Sequence, residues 1–195
     1  GYLVSGVVHQ ANKKRMLCET YSGSGLDFSV VDLRRIANRL VLQGVNMLMY
    51  MGAYYSLKGM RKILPGGFPP VHGHQNPQFE YYKNFNNYIA RLSYISGNTY
   101  STGKTLVIHP HITGFANAEA KYYYYAASSV DIHSKGSSSR IDATLCGVVN
   151  ALQRMNKGFE VGVEGGFDNA EIKDGKILLN GSAYEVVILP AIKYL

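Results

Sequence analysis

Short unbroken apolar runs alternate along this chain with stretches in which apolar residues return every third or fourth position, the rhythms of buried strands and amphipathic helices. The first run, Met16-Leu17-Cys18, ends on Glu19 and opens into a glycine-rich turn, Thr20-Tyr21-Ser22-Gly23-Ser24-Gly25. A helix is predicted over 30–43. Ser29 is its natural N-cap, and Asp32, three residues on, stands in for the capping-box Glu. Leu33, Ile36, Ala37, Leu40 and Val41 form its apolar stripe, and Gly44 supplies the stop. The run over 45–51 reads as a second buried strand. Together these make one β-α-β unit with Glu19 at the carboxyl end of its first strand, the rim from which a (β/α)8 barrel presents catalytic side chains. Taken alone, a Glu after a strand is more often a solvated cap or an ion-pair partner.

The pattern breaks down over 56–77, where Pro65-Gly66-Gly67, Pro69-Pro70 and His72-Gly73-His74 sustain neither a helix nor a central strand. A loop of that length leaving the rim points to function. A second helix is predicted from Asn76 as N-cap and Pro77 at its first position to about 96, with an aromatic stripe of Tyr81, Phe85, Tyr88, Leu92 and Ile95 widened by Tyr82 and Ile89. That stripe reads as core packing. Beyond Gly103, residues 105–109 read as a buried parallel strand ending at Pro110, followed by a polar stretch with Tyr122-Tyr123-Tyr124-Tyr125. A third helix is predicted over 140–156, with Ser139 and Asp142 as cap signals and a buried face of Ile141, Leu145, Val148, Val149, Leu152 and Met155. Asp174-Gly175 and Asn180-Gly181 are turn dipeptides, so 171–179 reads as a hairpin and 184–189 as a further strand. The fold class predicted is α/β: the last β-α-β part of a (β/α)8 barrel over 1–100, then the start of an open, mostly parallel Rossmann-like domain over 101–195.

Composition narrows the partners. With 46% hydrophobic and 17% charged residues the chain can pack a core. It has no run of about 18 apolar residues, the length a membrane-spanning helix needs. A net charge of +7 invites a nucleic-acid reading, but the densest basic run, Lys13-Lys14-Arg15, has three members and leads straight into a strand. Neither nucleic acid nor membrane is the expected partner. Cys18 and Cys146 match no metal-ligand spacing and read as buried free thiols. The chain starts at Gly1 and stops just after an apolar strand, so it reads as a piece truncated at both ends.

No Ser sits in a Gly-x-Ser-x-Gly elbow, and the turn around Gly23 is neither a Walker loop nor a dinucleotide fingerprint. His72 and His74 are two apart, as are His109 and His111. That spacing places two rings on one face of a strand, yet each pair lies beside a proline with no third ligand in view. No metal is assigned, and a loop His bonding a hydroxyl-rich ligand is the better reading. What survives is one carboxylate among tyrosines, amides and imidazoles, the furniture of a sugar site. Glu19 is the catalytic candidate; Tyr21, Asn46, Tyr50, Tyr54, His72 and His74 are the substrate-binding candidates. Glycosidic cleavage takes two carboxyl groups; the second is expected on a strand that precedes this sequence.

Lys14-Arg15-Met16-Leu17-Cys18-Glu19-Thr20-Tyr21-Ser22-Gly23-Ser24-Gly25, then Asp32-Leu33 through Gly44-Val45-Asn46, Tyr54-Tyr55-Ser56 and Pro69-Pro70, resemble the end of the catalytic barrel in family 106 of the glycoside hydrolases, the α-L-rhamnosidases. Tyr88-Ile89-Ala90-Arg91-Leu92-Ser93, the run 106–110, Asp174-Gly175-Lys176 and Tyr184-Glu185-Val186-Val187-Ile188-Leu189-Pro190 follow the same order, into a domain similar to glutamine amidotransferases. The resemblance implies inverting hydrolysis of terminal α-L-rhamnose from a glycan, with Glu19 as general base. It also implies calcium in sugar binding, through ligands that map onto no position here, and a periplasmic or secreted parent chain. The sequence itself does not set the compartment. One departure stands out: Tyr50-Met51-Gly52 lies where a His is expected after the eighth strand. Two other readings stay open, a retaining β-galactosidase-type enzyme with Glu19 as nucleophile and a carbohydrate-binding or structural module without catalysis.

Overall fold

No cap signal announces the first helix, α1 (Tyr2–Gln10), and no acid occupies its first turn. It has no counterpart among the predicted elements. The computed structural model describes residues 1–24, 27–59, 62, 72–99, 101–117 and 137–193, so the tyrosine run at 122–125 and most of the loop at 60–71 lie outside the described residues. The chain divides into two compact units, one of Gly1 with Lys14–Tyr100 and the other of Tyr2–Lys13 with Ser101–Leu195. The opening helix thus packs with the second half of the chain, unlike the simple 1–100 and 101–195 division predicted.

In the first unit β1 (Leu17–Thr20) leads through α2 (Val30–Leu42) to β2 (Met47–Tyr50), and the two strands pair in parallel with Glu19 opposite Met49 and Thr20 opposite Tyr50. The capping box forms as predicted: Ser29 accepts from the Asp32 amide, and Asp32 accepts from the Ser29 amide. Leu33 and Ala37 of α2 are fully buried against Phe85 and Ile89 of α3 (Tyr82–Gly97). Tyr88 of α3 donates to Asn38 Oδ1 at 2.6 Å, and the Arg34 guanidinium lies 4.7 Å from the Tyr88 ring centre. α3 starts later than Asn76 and Pro77 predict. The Asn76 side chain accepts from the Gln78 amide at 2.8 Å, a local turn that competes with the helix, and a 3₁₀ turn, Phe79–Tyr81, intervenes.

The second unit is built on a parallel sheet ordered β4-β3-β8, from β3 (Thr105–His109), β4 (Phe159–Val163) and β8 (Val186–Ile188). A short helix, α4 (His111–Ala116), follows β3, and α5 (Ser137–Arg154) precedes β4. Ile141 of α5 is buried, but Met155 lies past the helix end and is 64% exposed, against prediction. Cys146 is also exposed rather than buried, because it follows Leu145 by one residue and so turns about 100° off the apolar stripe. The hairpin extends to a three-strand meander, β5 (Glu171–Lys173), β6 (Lys176–Leu179) and β7 (Ser182–Tyr184). Asp174-Gly175 and Asn180-Gly181 hold positive φ at both residues, as two-residue turns require. The predicted strand over 184–189 is broken at Glu185, whose amide donates to the Lys104 carbonyl. The chain is therefore mixed α/β with parallel sheets, and its described residues form no closed barrel.

α1 lies on β4, joined to it by a buried polar chain. His9 Nδ1 sits 2.7 Å from Glu160 Oε1, Tyr184 donates to Glu160 Oε2 at 2.6 Å, and Gln10 donates to the Tyr184 oxygen at 3.2 Å. Burial, then the neighbouring Glu160, pushes the Tyr184 hydroxyl up to about 12, so it stays a donor at neutral pH. Tyr184→Phe leaves one oxygen of the buried Glu160 without its donor, at an expected cost of about 1–3 kcal/mol. Urea denaturation measures this, and a change near zero would mean that the network is not coupled to folding.

Candidate functional site

Side chains alternate across the β1–β2 pair, and the two faces meet different surroundings. Leu48 and Tyr50 pack toward α2 and α3. Leu17, Met47 and Met49 point the other way and are 53%, 45% and 46% exposed, and Glu19 shares that face in register with Met49. Parallel strands are normally covered on both faces. Here one face is covered, and the open one carries apolar side chains with a single carboxylate at its carboxyl end. Thr20 pins the rim by donating to the Met49 carbonyl at 3.1 Å.

β1 terminates at Tyr21, which adopts φ of 71°, a left-handed conformation that strains a bulky residue. The turn swings its ring to the helix side, 5.2 Å from Tyr50 and 5.7 Å from His72, where its hydroxyl donates to the Leu33 carbonyl at 3.3 Å. Burial, reinforced by Tyr50 and Tyr82, holds that hydroxyl far above the ordinary tyrosine range. Tyr50 donates to Asn86 Oδ1 at 2.8 Å, and burial pushes it up to about 12. His72 is buried, with Nδ1 3.2 Å from the Tyr82 hydroxyl; burial lowers its pKa, so the ring is neutral at pH 7. Its Nε2 is without a partner among the described residues.

The sequence-predicted residues thus separate. Tyr21, Tyr50 and His72 meet in one aromatic cluster, joined by Tyr82, which the sequence assigned to the core stripe. Glu19 stands on the opposite face, because paired parallel residues share a face and Tyr50 pairs with Thr20. Asn46 lies at the other end of the strands: it accepts from the Met16 amide at 3.0 Å and donates to the Lys14 carbonyl at 2.8 Å, so its amide ties strand starts together. Tyr54 is buried, its carbonyl taking a bond from Gln75 at 3.1 Å, and His74 is exposed. Calcium takes about six to eight oxygen ligands, whereas the paired strands bring one carboxylate.

A second polar cluster lies in the other unit, at the carboxyl ends of β3 and β4. The Glu164 carboxylate is desolvated and accepts from the Ile112 amide at 2.6 Å, with His111 Nδ1 at 3.2 Å and the Thr113 hydroxyl at 3.4 Å. It caps α4 and fixes an imidazole, and the only hint in the sequence was His109 and His111 at the end of the predicted strand. Among the described residues no three His, Cys, Asp or Glu side chains converge as metal ligands.

No protein-family model matches this chain. No curated protein matches it either. Among solved structures it is similar to a rhamnosidase from Novosphingobium sp. PP1Y, with 14% identity and a TM-score of 0.61 over 95% of this chain. The chain spans 16% of that structure's length. At that identity the likeness is one of fold: this chain shares a mixed α/β arrangement with a segment of that structure.

Proposed function

We propose that this chain is part of a glycoside hydrolase that removes terminal α-L-rhamnose from glycans with inversion, Glu19 serving as general base. The observation that carries the reading is the open face of the β1–β2 pair. A parallel pair with helices on one side and exposed Leu17, Met47 and Met49 on the other is what a barrel wall looks like without its remaining strands. Glu19 is then an inward-facing carboxylate at the carboxyl rim. The fold likeness to a rhamnosidase supports the same reading.

In the proposed reaction Glu19 removes a proton from a water molecule as its oxygen attacks the anomeric carbon. A second carboxyl group, on another strand of the parent barrel, protonates the departing glycosidic oxygen. Room for the water sets the two groups about 6.5–9.5 Å apart in an inverting enzyme. The test is to supply the parent enzyme with aryl α-L-rhamnoside and aryl β-galactoside and follow the first-formed product anomer by NMR. Inverted rhamnose is the expected product. Retained galactose would overturn the reading and make Glu19 a nucleophile, while inertness toward both would leave a non-catalytic module.

A further inference from the structure

We propose that the cleft between the end of β2 and the start of α3 is a binding subsite for a neutral saccharide, lying across the strand pair from Glu19. The cleft measures about 580 Å³, within the range of roughly 300–1,000 Å³ typical of small-molecule sites. Its wall is made of rings that are already held in place. Tyr50 is fixed by its bond to Asn86 and stacks on Phe85 at 25°. Tyr82 is tied to His72. Phe79, 5.9 Å from Tyr82 between ring centres, is 46% exposed at the mouth. Half of a large aromatic ring facing water beside a cleft is costly surface that a ligand can cover.

The polar groups decide what kind of ligand that is. Glu80, in the 3₁₀ turn before α3, and Lys83, Asn86 and Asn87, at the beginning of α3, also line the cleft, all on exposed positions. One acid and one base cancel, so the rim offers no net attraction to a phosphate or a carboxylate. Two amides and one carboxylate supply both donors and acceptors at fixed spacing along a helix face, with Asn86 and Asn87 adjacent and Lys83 one turn earlier. The neutral state of His72 adds no charge to the wall. A ligand with a C–H face for the rings and hydroxyls for the amides answers both requirements, which is the chemistry of a pyranose. Its place also differs from that of the catalytic candidate. Thr20 and Tyr50 face the helices while Glu19 and Met49 face away, so a sugar in the cleft is separated from the Glu19 carboxylate by the strand pair itself. The subsite would hold a sugar unit other than the one being cleaved.

The experiment is a titration of the ¹⁵N-labelled chain with L-rhamnose and D-galactose, with inorganic phosphate as the charged comparison. Either sugar is expected to shift the Asn86 and Asn87 side-chain amides and the backbone amides of 79–83 in a saturable way, in about the millimolar range common for single sugar units. Phosphate is expected to leave them unmoved. Phe79→Ala and Asn87→Ala, both at exposed positions, are each expected to weaken the sugar about fivefold or more with an unchanged circular dichroism spectrum. The proposal is overturned if no saturable shift arises at these residues, if both variants bind like the unaltered chain, or if phosphate competes with the sugar. Hydrolysis by the parent enzyme reads the other face of the strand pair, so a failed titration and a failed hydrolysis assay are separable results.

Discussion

Glu19→Gln in the parent enzyme is expected to lower turnover of an aryl α-L-rhamnoside about 10²–10⁴-fold, the range a general base contributes. The substitution keeps the shape and removes only the ability to take a proton. Glu19 is exposed in this chain, with no ion pair among the described residues, so the stability of the chain by itself is expected to change by no more than about 0.5 kcal/mol. That combination separates a chemical role from a structural one. Azide gives a second handle, because it attacks carbon without losing a proton. Added to Glu19→Ala with an activated aryl glycoside, it is expected to restore turnover, forming the carbon–nitrogen bond as the aryl oxide leaves. Near-normal turnover by Glu19→Gln, measured by release of the aryl group, would remove Glu19 from the mechanism.

Gly6→Ala is expected to be the most disruptive single-methyl change in the described structure. A Cβ at Gly6 would fall 1.9 Å from the Val161 carbonyl oxygen of β4, a clash with backbone that no rotamer relieves. The helix must lift, and His9 and Gln10, which hold Glu160 and Tyr184, lift with it. Overpacking costs about 1–3 kcal/mol on its own, and stranding part of a buried carboxylate network adds about 1–3 kcal/mol. The measurement is a urea denaturation midpoint together with hydrogen exchange at α1 and β4. Unchanged stability with full protection of α1 would show that the contact is looser than the geometry requires.

Local chemistry was legible in the sequence and long-range pairing was not. Ser29 with Asp32, Asp174 with Gly175 and Asn180 with Gly181 act within a few residues, and each does what its type dictates. β4 was hidden because Glu160 interrupts its apolar pattern, and a tyrosine and a histidine from distant segments make that carboxylate tolerable inside. α1 was hidden for a related reason: Gly6 weakens it as a helix read alone, yet is the residue that lets it approach a strand. The candidate site was half legible. Glu19 and the aromatic residues could be named, but their separation onto two faces depends on the pairing of Thr20 with Tyr50, which no local pattern announces.

The route of the chain through its two units has a kinetic consequence. Because the second unit takes its first helix from residues 2–13 and the rest from beyond 100, the first unit is an insertion within it. Gln10 and Tyr184, bonded in the native state, are 174 positions apart. Within this sequence α1 emerges before β4 and β7, the strands it is tied to, whereas the contacts within 14–100 can form meanwhile. The inserted unit then does for the outer one what a cross-link would do: by folding first, it shortens the loop that must close before helix and sheet can meet.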